Sequence, residues 1–392
     1  MTLIRDSSIR VRPPEQTLAI AKSLAKQLGI SRVTDISPLD RIGIPVYASI
    51  NPSLKVDKIA YGKGMAHIDA QVGAYMESIE LAIAQDIDHS EVNSHWGTPM
   101  EIEGAHQKPD VILDFCTLVN VEVLLDQPIL LADVENTATG EIVKLPAELV
   151  YFPLEHPGQF VFGSSTNGLA SGNSVIEASV HALTEVIERD IWSFQTIKPS
   201  AIKVDLSSLP PSSASAVLKI RAAGFELLLR YTENEFQAAF FSAHLWHPDH
   251  ICDKFFNGGW GCHLHKHIAL NRAICEAVQG RAAMIHGGRA TTHSIEHNPV
   301  LQTEIARINA ADLPTISYGD IPDSPLETLE QQWQSLTRNV QKVTRKPIYR
   351  AVFTPADYPV QVVRVIAPKL ENFSPDMIRI GRRLKSALEV QA

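Results

Sequence analysis

Four cysteines in 392 residues are too few for a disulfide scaffold. Cys116, Cys252, Cys262 and Cys275 read as reduced thiols in a cytoplasmic protein. No apolar run reaches the roughly 18 residues that span a bilayer, so no membrane segment is expected. The start, MTLIRDSSIRVRPPEQ, lacks the apolar core of a signal peptide. Positive charge is in deficit. A net charge of −9 at pH 7 argues against a general nucleic-acid binder and against a polybasic membrane surface. The GxxxxGK[ST] loop of P-loop proteins is missing, as are the C-x-x-C and H-E-x-x-H patterns of common zinc sites. No low-complexity linker, charge run or long repeat divides the chain. With 45% hydrophobic residues it can bury a large core. These features predict one large α+β unit of mixed β-sheets and long helices.

What is present is a pair of matching acidic motifs. Glu77 and Glu80 lie in AYMESIELAIA, and Glu185 and Glu188 in HALTEVIERDI. Glutamates three apart share one helix face and repel each other. Both pairs sit in mostly apolar surroundings, where desolvation strengthens the repulsion. A solvated acidic face explains one such pair. Two pairs point to carboxylates neutralised by hard divalent cations, which take carboxylate and polyphosphate oxygens together.

Periodicity predicts a helix over EQTLAIAKSLAKQLGI and strands in RVTDISPLDRIGIPVYASI, then a Gly-rich bend at 58–64 and a long helix over about 67–86. Strand-like runs follow: VILDFCTLVN, PILLADVEN and EIVKLPAELVYF. A small polar loop, 163–174, opens a second long helix over about 175–194. Residues 199–245 read as strand, helix, strand. The Gly-rich stretch NGGWG precedes a third long helix over about 266–284. Residues 298–320 and 325–340 read as helical or mixed. A strand in YPVQVVRVIAP and a helix at about 375–389 close the chain. The expected division is an N-terminal helical segment, 1–30, and a catalytic domain, 31–392.

Ser174 and Glu177 fit a capping box, which alone accounts for Glu177. Gly168, Gly172 and Asn173 make the preceding loop permissive, so helix-start amides could meet an anion. Eight residues separate Glu177 from Glu185, about 12 Å along a helix, comparable with an extended nucleoside triphosphate. The third helix carries Glu276, Gln279 and Arg281. Arginine suits forked contact with phosphate, although a solvated charge is the ordinary reading of Arg281. Two rival readings compete. His244, His247, His250, Cys252, Cys262, His263, His265 and His267 crowd one stretch and could bind Zn²⁺. Cys116 and Cys275 could be nucleophiles, but their apolar contexts favour buried structural thiols.

The segment GLASGNSVIEASVHALTEVIERD resembles the signature of the YcaO-domain family. So do DISPLDRIGIPVY, YGKGM with its acidic helix, GGWGCHLHKHIALNRAICEAVQGR and VVRVIAPKLENF. The resemblance implies a YcaO-type fold enclosing an ATP site with Mg²⁺. It implies phosphorylation of a peptide backbone amide in a ribosomally made precursor, for azoline, thioamide or amidine formation. Carried over, Glu77, Glu80, Glu185 and Glu188 are metal ligands, Asn173 and Glu177 contact the nucleoside, and Arg189 and Arg281 the phosphates. Arg10 and Thr17 loosely echo a Lys/Ser pair that touches nucleotide in relatives. The resemblance leaves the catalytic side chain unassigned. It also implies a homodimer acting on a precursor peptide or protein substrate, with a partner that is E1-like (ThiF-like) or TfuA-like. Alternatives are an accessory factor for ribosomal protein S12 methylthiolation, or a non-catalytic scaffold of the same fold. Three departures stand out. Gly73 and Leu81 replace the family's serine and arginine around the first acidic pair. The turn at 287–291 reads Gly-Gly-Arg-Ala-Thr. The ending LKSALEVQA lacks the proline-rich tail of azoline-forming members, and no winged-helix peptide-binding module is expected in the first thirty residues.

Overall fold

The computed structural model describes residues 2–86, 94–155, 158, 160–248, 256–287, 314–373 and 379–389. Its helices are α1 (Pro14–Ala25), α2 (His67–Gln85), α3 (Val175–Ile197), α4 (Pro211–Ala222), α5 (Lys266–His286), α6 (Leu329–Thr344) and α7 (Arg382–Glu389). They divide with the sheets between two compact units. The first comprises residues 1–53, 58–78 and 200–327; the second comprises 54–57, 79–199 and 328–392. The division falls inside α2, between Ser78 and Ile79, so Glu77 belongs to the first unit and Glu80 to the second.

The first unit holds a five-stranded sheet, in the order Phe256–His263, Ala239–Trp246, Glu226–Tyr231, Ile202–Val204 and Thr315–Ile316. Neighbours are antiparallel except the last pair. It also holds a three-stranded antiparallel sheet, Arg32–Asp35, Val46–Ile50 and Ile59–Lys63, and the two-stranded pair Leu3–Ile4 and Ile9–Arg10. One core joins both sheets to α4 and α5, with Phe225, Leu229, Phe241, Ile274 and Val278 among its buried members.

Glycine explains how closely helices lie on these strands. NGGWG is part of the strand Phe256–His263. A Cβ on Gly259 would land on the Ala277 amide and the Ala273 carbonyl of α5. KIAYGKG is likewise the strand Ile59–Lys63 rather than a bend. A Cβ on Gly62 would strike the Ala70 carbonyl and Ala74 amide of α2. Composition reads such glycines as turns; here they permit backbone contact.

The second unit is an antiparallel sheet in the order Leu169–Gly172, Gln361–Ile366, Tyr349–Val352, Ile129–Asn136 and Ser94–Gly97, with Ile142–Pro146 also paired to Ile129–Asn136. α3 packs across Leu169–Gly172 and Gln361–Ile366, and α6 packs against α3. The run 163–174, expected to be all loop, thus contains a fully buried strand. VILDFCTLVN is also corrected: Pro109–Phe115 is a 3₁₀ helix, and only Thr117–Leu118 is extended, pairing with Arg379–Ile380. Pro109 at the first helical position presets φ for that turn. The closing helix begins at Arg382, after a short strand. The part of the 298–320 reading that falls on 298–313 lies outside the described residues. No helix among the described residues is long and apolar enough to cross a membrane.

Gly259→Val should destabilise the protein by about 2 kcal/mol or more, because helix backbone cannot yield as a side chain can. Gly319→Ala, where the added carbon meets only Ser317 Oγ at 3.7 Å, should stay within about 0.5 kcal/mol. Urea unfolding of both variants checks this; equal midpoints would refute the close-approach argument.

Candidate functional site

α3 starts hard against its sheet. A Cβ on Gly172 would come within 2.7 Å of the Ala178 amide. Ser174 caps the helix, its Oγ accepting from Glu177 N–H at 3.3 Å. Glu177 does not return to the cap residue as a capping box would. Its Oε1 accepts instead from Asn173, through the backbone N–H at 3.1 Å and Nδ2 at 3.0 Å. Both side chains are buried. The hydrogen bonds lock the entry of α3 and set Asn173 beside Glu177.

Two turns later the helix carries its second charged group. Glu185 is half-buried, while Glu188 is 5% exposed and Asp190 1%. Arg189 lays its guanidinium over the Trp192 ring, 5.7 Å from the centroid. Buried carboxylates are costly unless matched by charge or hydrogen bonds. Asp190 is matched by Glu371 N–H at 2.7 Å and Arg383 Nη1 at 2.6 Å. Burial pushes its carboxyl up to about 7, against the pull of Arg383. Glu371 in turn accepts from the Gly381 and Leu384 amides, and Ser193 Oγ accepts from Phe373 N–H. This network fastens 371–373 and α7 to α3 just beyond Glu188.

Arg364 is the residue the sequence reading missed. It is 1% exposed in the strand beneath α3. Nε donates to the Val150 carbonyl at 3.0 Å and Nη1 to the Asn167 carbonyl at 2.6 Å. Burial lowers its pKa to about 10, while Glu185 and Glu80 act in the opposite direction. The signal was available: a lone arginine inside VVRVIAP is a charge that such a strand would otherwise exclude. A cavity of about 50 Å³ lies at its chain neighbour Val365, lined also by Asn167, Val186 and Asn372. It has room for one or two waters, not for a nucleotide.

The first unit holds the remaining candidates. Glu77 is exposed on α2. Arg281, expected to face phosphate, makes a forked ion pair with Asp40 at 2.9 and 3.1 Å and stacks on Phe225. Glu276 pairs with Lys63 at 2.6 Å. Arg10 lies in the short strand Ile9–Arg10. Thr17 is buried on α1, its hydroxyl donating to the Pro13 carbonyl at 3.4 Å.

Glu77, Glu80, Glu185 and Glu188 offer hard carboxylate oxygens. Among the described residues no three His, Cys, Asp or Glu side chains gather to hold a metal by themselves. Mg²⁺ brought with a polyphosphate needs only one or two carboxylates, the phosphates and water supplying the rest. The donor set therefore fits Mg²⁺ shared with a nucleotide. Glu80, Glu185, Glu188 and Arg189 could hold such a group in the second unit, with Asn173 and Glu177 at the helix entry.

The rival sites look different. His263 Nδ1 accepts from the His265 N–H at 3.0 Å, and His265 Nε2 lies 3.0 Å from the Leu326 carbonyl. His250 and Cys252 lie outside the described residues. Burial drives the Cys116 thiol well up and the Cys275 thiol to about 12, which disfavours a thiolate nucleophile.

Burial, reinforced by Arg272 and the neighbouring histidines, holds His263 well below its usual 6.5. Just below that pH the unfolded chain binds a proton the folded one refuses, so stability falls as pH drops. His263→Asn, whose amide oxygen can take the same hydrogen bond, should flatten the decline of the urea midpoint between about pH 7.5 and about pH 5.5. An unchanged decline would assign it to other groups.

Comparison with known proteins agrees with this architecture. The family model for YcaO cyclodehydratases, described as ATP- and Mg²⁺-binding, matches residues 61–371. An uncharacterized protein of Methanothermobacter thermautotrophicus is 32% identical over 390 residues, covering 96% of this chain and 99% of its own. An uncharacterized protein in the tfuA 3′ region of Rhizobium leguminosarum bv. trifolii is 29% identical over 407 residues, covering 97% and 93%. Among solved structures, YcaO from Methanopyrus kandleri bound with AMPPCP and Mg²⁺ superposes with a TM-score of 0.78 at 21% identity, covering 97% of this chain and 98% of that one. A heterocyclase in complex with substrate and cofactor gives 0.76 at 18% identity, covering all of this chain and 57% of that one. At these identities the structures speak for the fold; the family model carries the cofactors. The chain belongs to the YcaO cyclodehydratase family, whose cofactors are ATP and Mg²⁺.

Proposed function

We propose that this protein activates a backbone amide of a peptide or protein substrate by ATP- and Mg²⁺-dependent phosphorylation, for azoline or thioamide formation in a ribosomally made peptide. The observation that carries this reading is the acidic arrangement of α2 and α3. Glu188 is buried, and Glu80 and Glu185 are half-buried on α2 and α3. Such a group of carboxylates is poorly suited to a solvated surface and well suited to metal-bound phosphate.

When bound, Mg-ATP supplies a phosphoryl group that turns the amide oxygen into a leaving group. A neighbouring Cys, Ser or Thr side chain, or a sulfide, then adds to the amide carbon, and the oxygen departs as phosphate. Glu77, Glu80, Glu185 and Glu188 hold and orient the metal-bound phosphates. Asn173 and Glu177, locked at the entry of α3, face the nucleoside. Arg189 meets phosphate charge; Arg281 joins it by exchanging Asp40 for phosphate. Arg10 and Thr17 complete the nucleotide contacts.

Amide phosphorylation requires the peptide bond to be held in line with the γ-phosphate. A partner protein that presents the peptide or delivers sulfide is therefore part of the reading. The Rhizobium relative's place beside tfuA supports a TfuA-like partner, and with it thioamide formation ahead of azoline formation. We propose a cytoplasmic homodimer as the working unit.

Glu188→Gln keeps side-chain volume and removes charge. It should lower ATP turnover in the presence of peptide and partner by at least ~100-fold, since even groups that only orient a metal ligand cost 10–100-fold. Wild-type turnover in a folded variant would remove Glu188 from the site. Nucleotide should also stabilise the fold only with its cation, by about 2.7 kcal/mol at a hundredfold excess over Kd. Thermal melts with Mg-ATP should shift upward, and EDTA should abolish most of the shift; an equal shift in EDTA would refute carboxylate-held metal. Mass spectrometry of the peptide separates the products, one lost water marking azoline and one oxygen exchanged for sulfur marking thioamide.

A further inference from the structure

Arg281 is read above as a phosphate contact, yet a carboxylate already holds it. Its Nε donates to Asp40 Oδ2 at 2.9 Å and its Nη2 to Asp40 Oδ1 at 3.1 Å. Both side chains are nearly enclosed, Arg281 at 9% exposure and Asp40 at 5%. Taking one partner from such a pair leaves a buried charge unmatched, which is strongly unfavourable. Arg281 can therefore turn to phosphate only if a second cation receives the Asp40 carboxylate.

Such a cation lies on the same aromatic ring. Arg281 sets its guanidinium 4.3 Å from the centroid of Phe225, and Arg41 sets its own 5.4 Å from that centroid. The two arginines differ in what they bind. Arg41 is exposed, and its guanidinium makes no hydrogen bond or ion pair with the described residues. The attraction of the ring keeps it close without tying it to an anion. Asp40 already meets Arg41 through the backbone, Oδ1 accepting from the Arg41 N–H at 2.8 Å. Asp40 and Arg41 are chain neighbours, so an exchange needs side-chain rotation and no movement of the fold. One carboxylate, two guanidiniums and one ring thus lie together within the first unit.

We propose that Arg41 is a positioning residue, the receiving cation of a carboxylate exchange. When a polyphosphate reaches Arg281, Asp40 passes to Arg41 and the Arg281 fork passes to phosphate oxygens, which suit it equally well. Each charge keeps a partner before and after the exchange, so the buried carboxylate is never left alone. Asp40 holds Arg281 oriented on Phe225 until then. The inference rests on the phosphate reading of Arg281 above and deepens it.

The test uses the full chain in two double-mutant cycles. The first is a set of thermal melts without nucleotide. Arg41→Gln alone should shift Tm by no more than about 1 °C, because it removes an exposed group that has no ion pair. Arg281→Met releases Asp40, and in that background Arg41→Gln should lower Tm by a further ~2–4 °C, since Asp40 then loses its second partner. The second cycle measures the Kd of Mg-ATP by calorimetry. Arg41→Gln should weaken binding about tenfold, whereas Arg41→Lys, which keeps a cation, should stay within about threefold of wild type. With Asp40→Asn no carboxylate needs receiving, so adding Arg41→Gln should change Kd by less than about twofold. Equal Tm effects of Arg41→Gln in the two backgrounds overturn the proposal. Unchanged Mg-ATP affinity in Arg41→Gln overturns it too, even if Arg281→Met or Asp40→Asn does not fold. A tenfold loss that persists in Asp40→Asn makes Arg41 a direct phosphate contact, and the exchange falls. Failure of the wild type to bind Mg-ATP would sink the nucleotide reading, while the nucleotide-free melts would still decide whether Asp40 passes to Arg41.

Discussion

Glu177, Glu188 and Asp190 lie along α3 with almost no exposure, and each buried carboxylate must be matched or the helix cannot pack. The second unit is arranged around that requirement. At the entry of α3, Asn173 folds its backbone and side-chain N–H groups onto Glu177. Beyond the acidic pair, Asp190 gathers the Glu371 amide and Arg383, and so draws 371–373 and α7 onto the helix. Beneath the middle, the strand Gln361–Ile366 packs against the helix. A helix held at both ends keeps its glutamates in fixed positions.

Backbone proximity makes that rigidity possible. The helices carrying the candidate site each lie on a strand where glycine removes the intervening carbon: Gly62 under α2, Gly172 under α3 and Gly259 under α5. Close approach ties helix position to strand position with little slack, since packed backbone does not compress. Variation at these glycines should therefore disturb the placement of charges several residues away.

Much of this was legible in the sequence, because it depends on local chemistry. Apolar periodicity found α2, α3 and α5 nearly to their ends, and Ser174 announced the start of α3. The spacing of Glu77 with Glu80, and of Glu185 with Glu188, follows from helix geometry alone. The glycine strands were misread because glycine is a turn residue by conformational freedom and a strand residue only where another backbone presses on it. The stretch at 110–115 was misread as strand because a short apolar run has no decisive period.

The sequence by itself determined the helices, the placement of paired carboxylates on their faces and the resemblance that joins them to ATP and Mg²⁺. Only the tertiary structure decided what those charges meet. Arg281 turned to Asp40, Asp190 took Arg383 across 193 positions, and Arg364 took the carbonyls of Val150 and Asn167. Helix geometry is set by neighbours three and four residues apart, whereas a buried charge is set by whatever the folded chain brings beside it from any distance along the sequence.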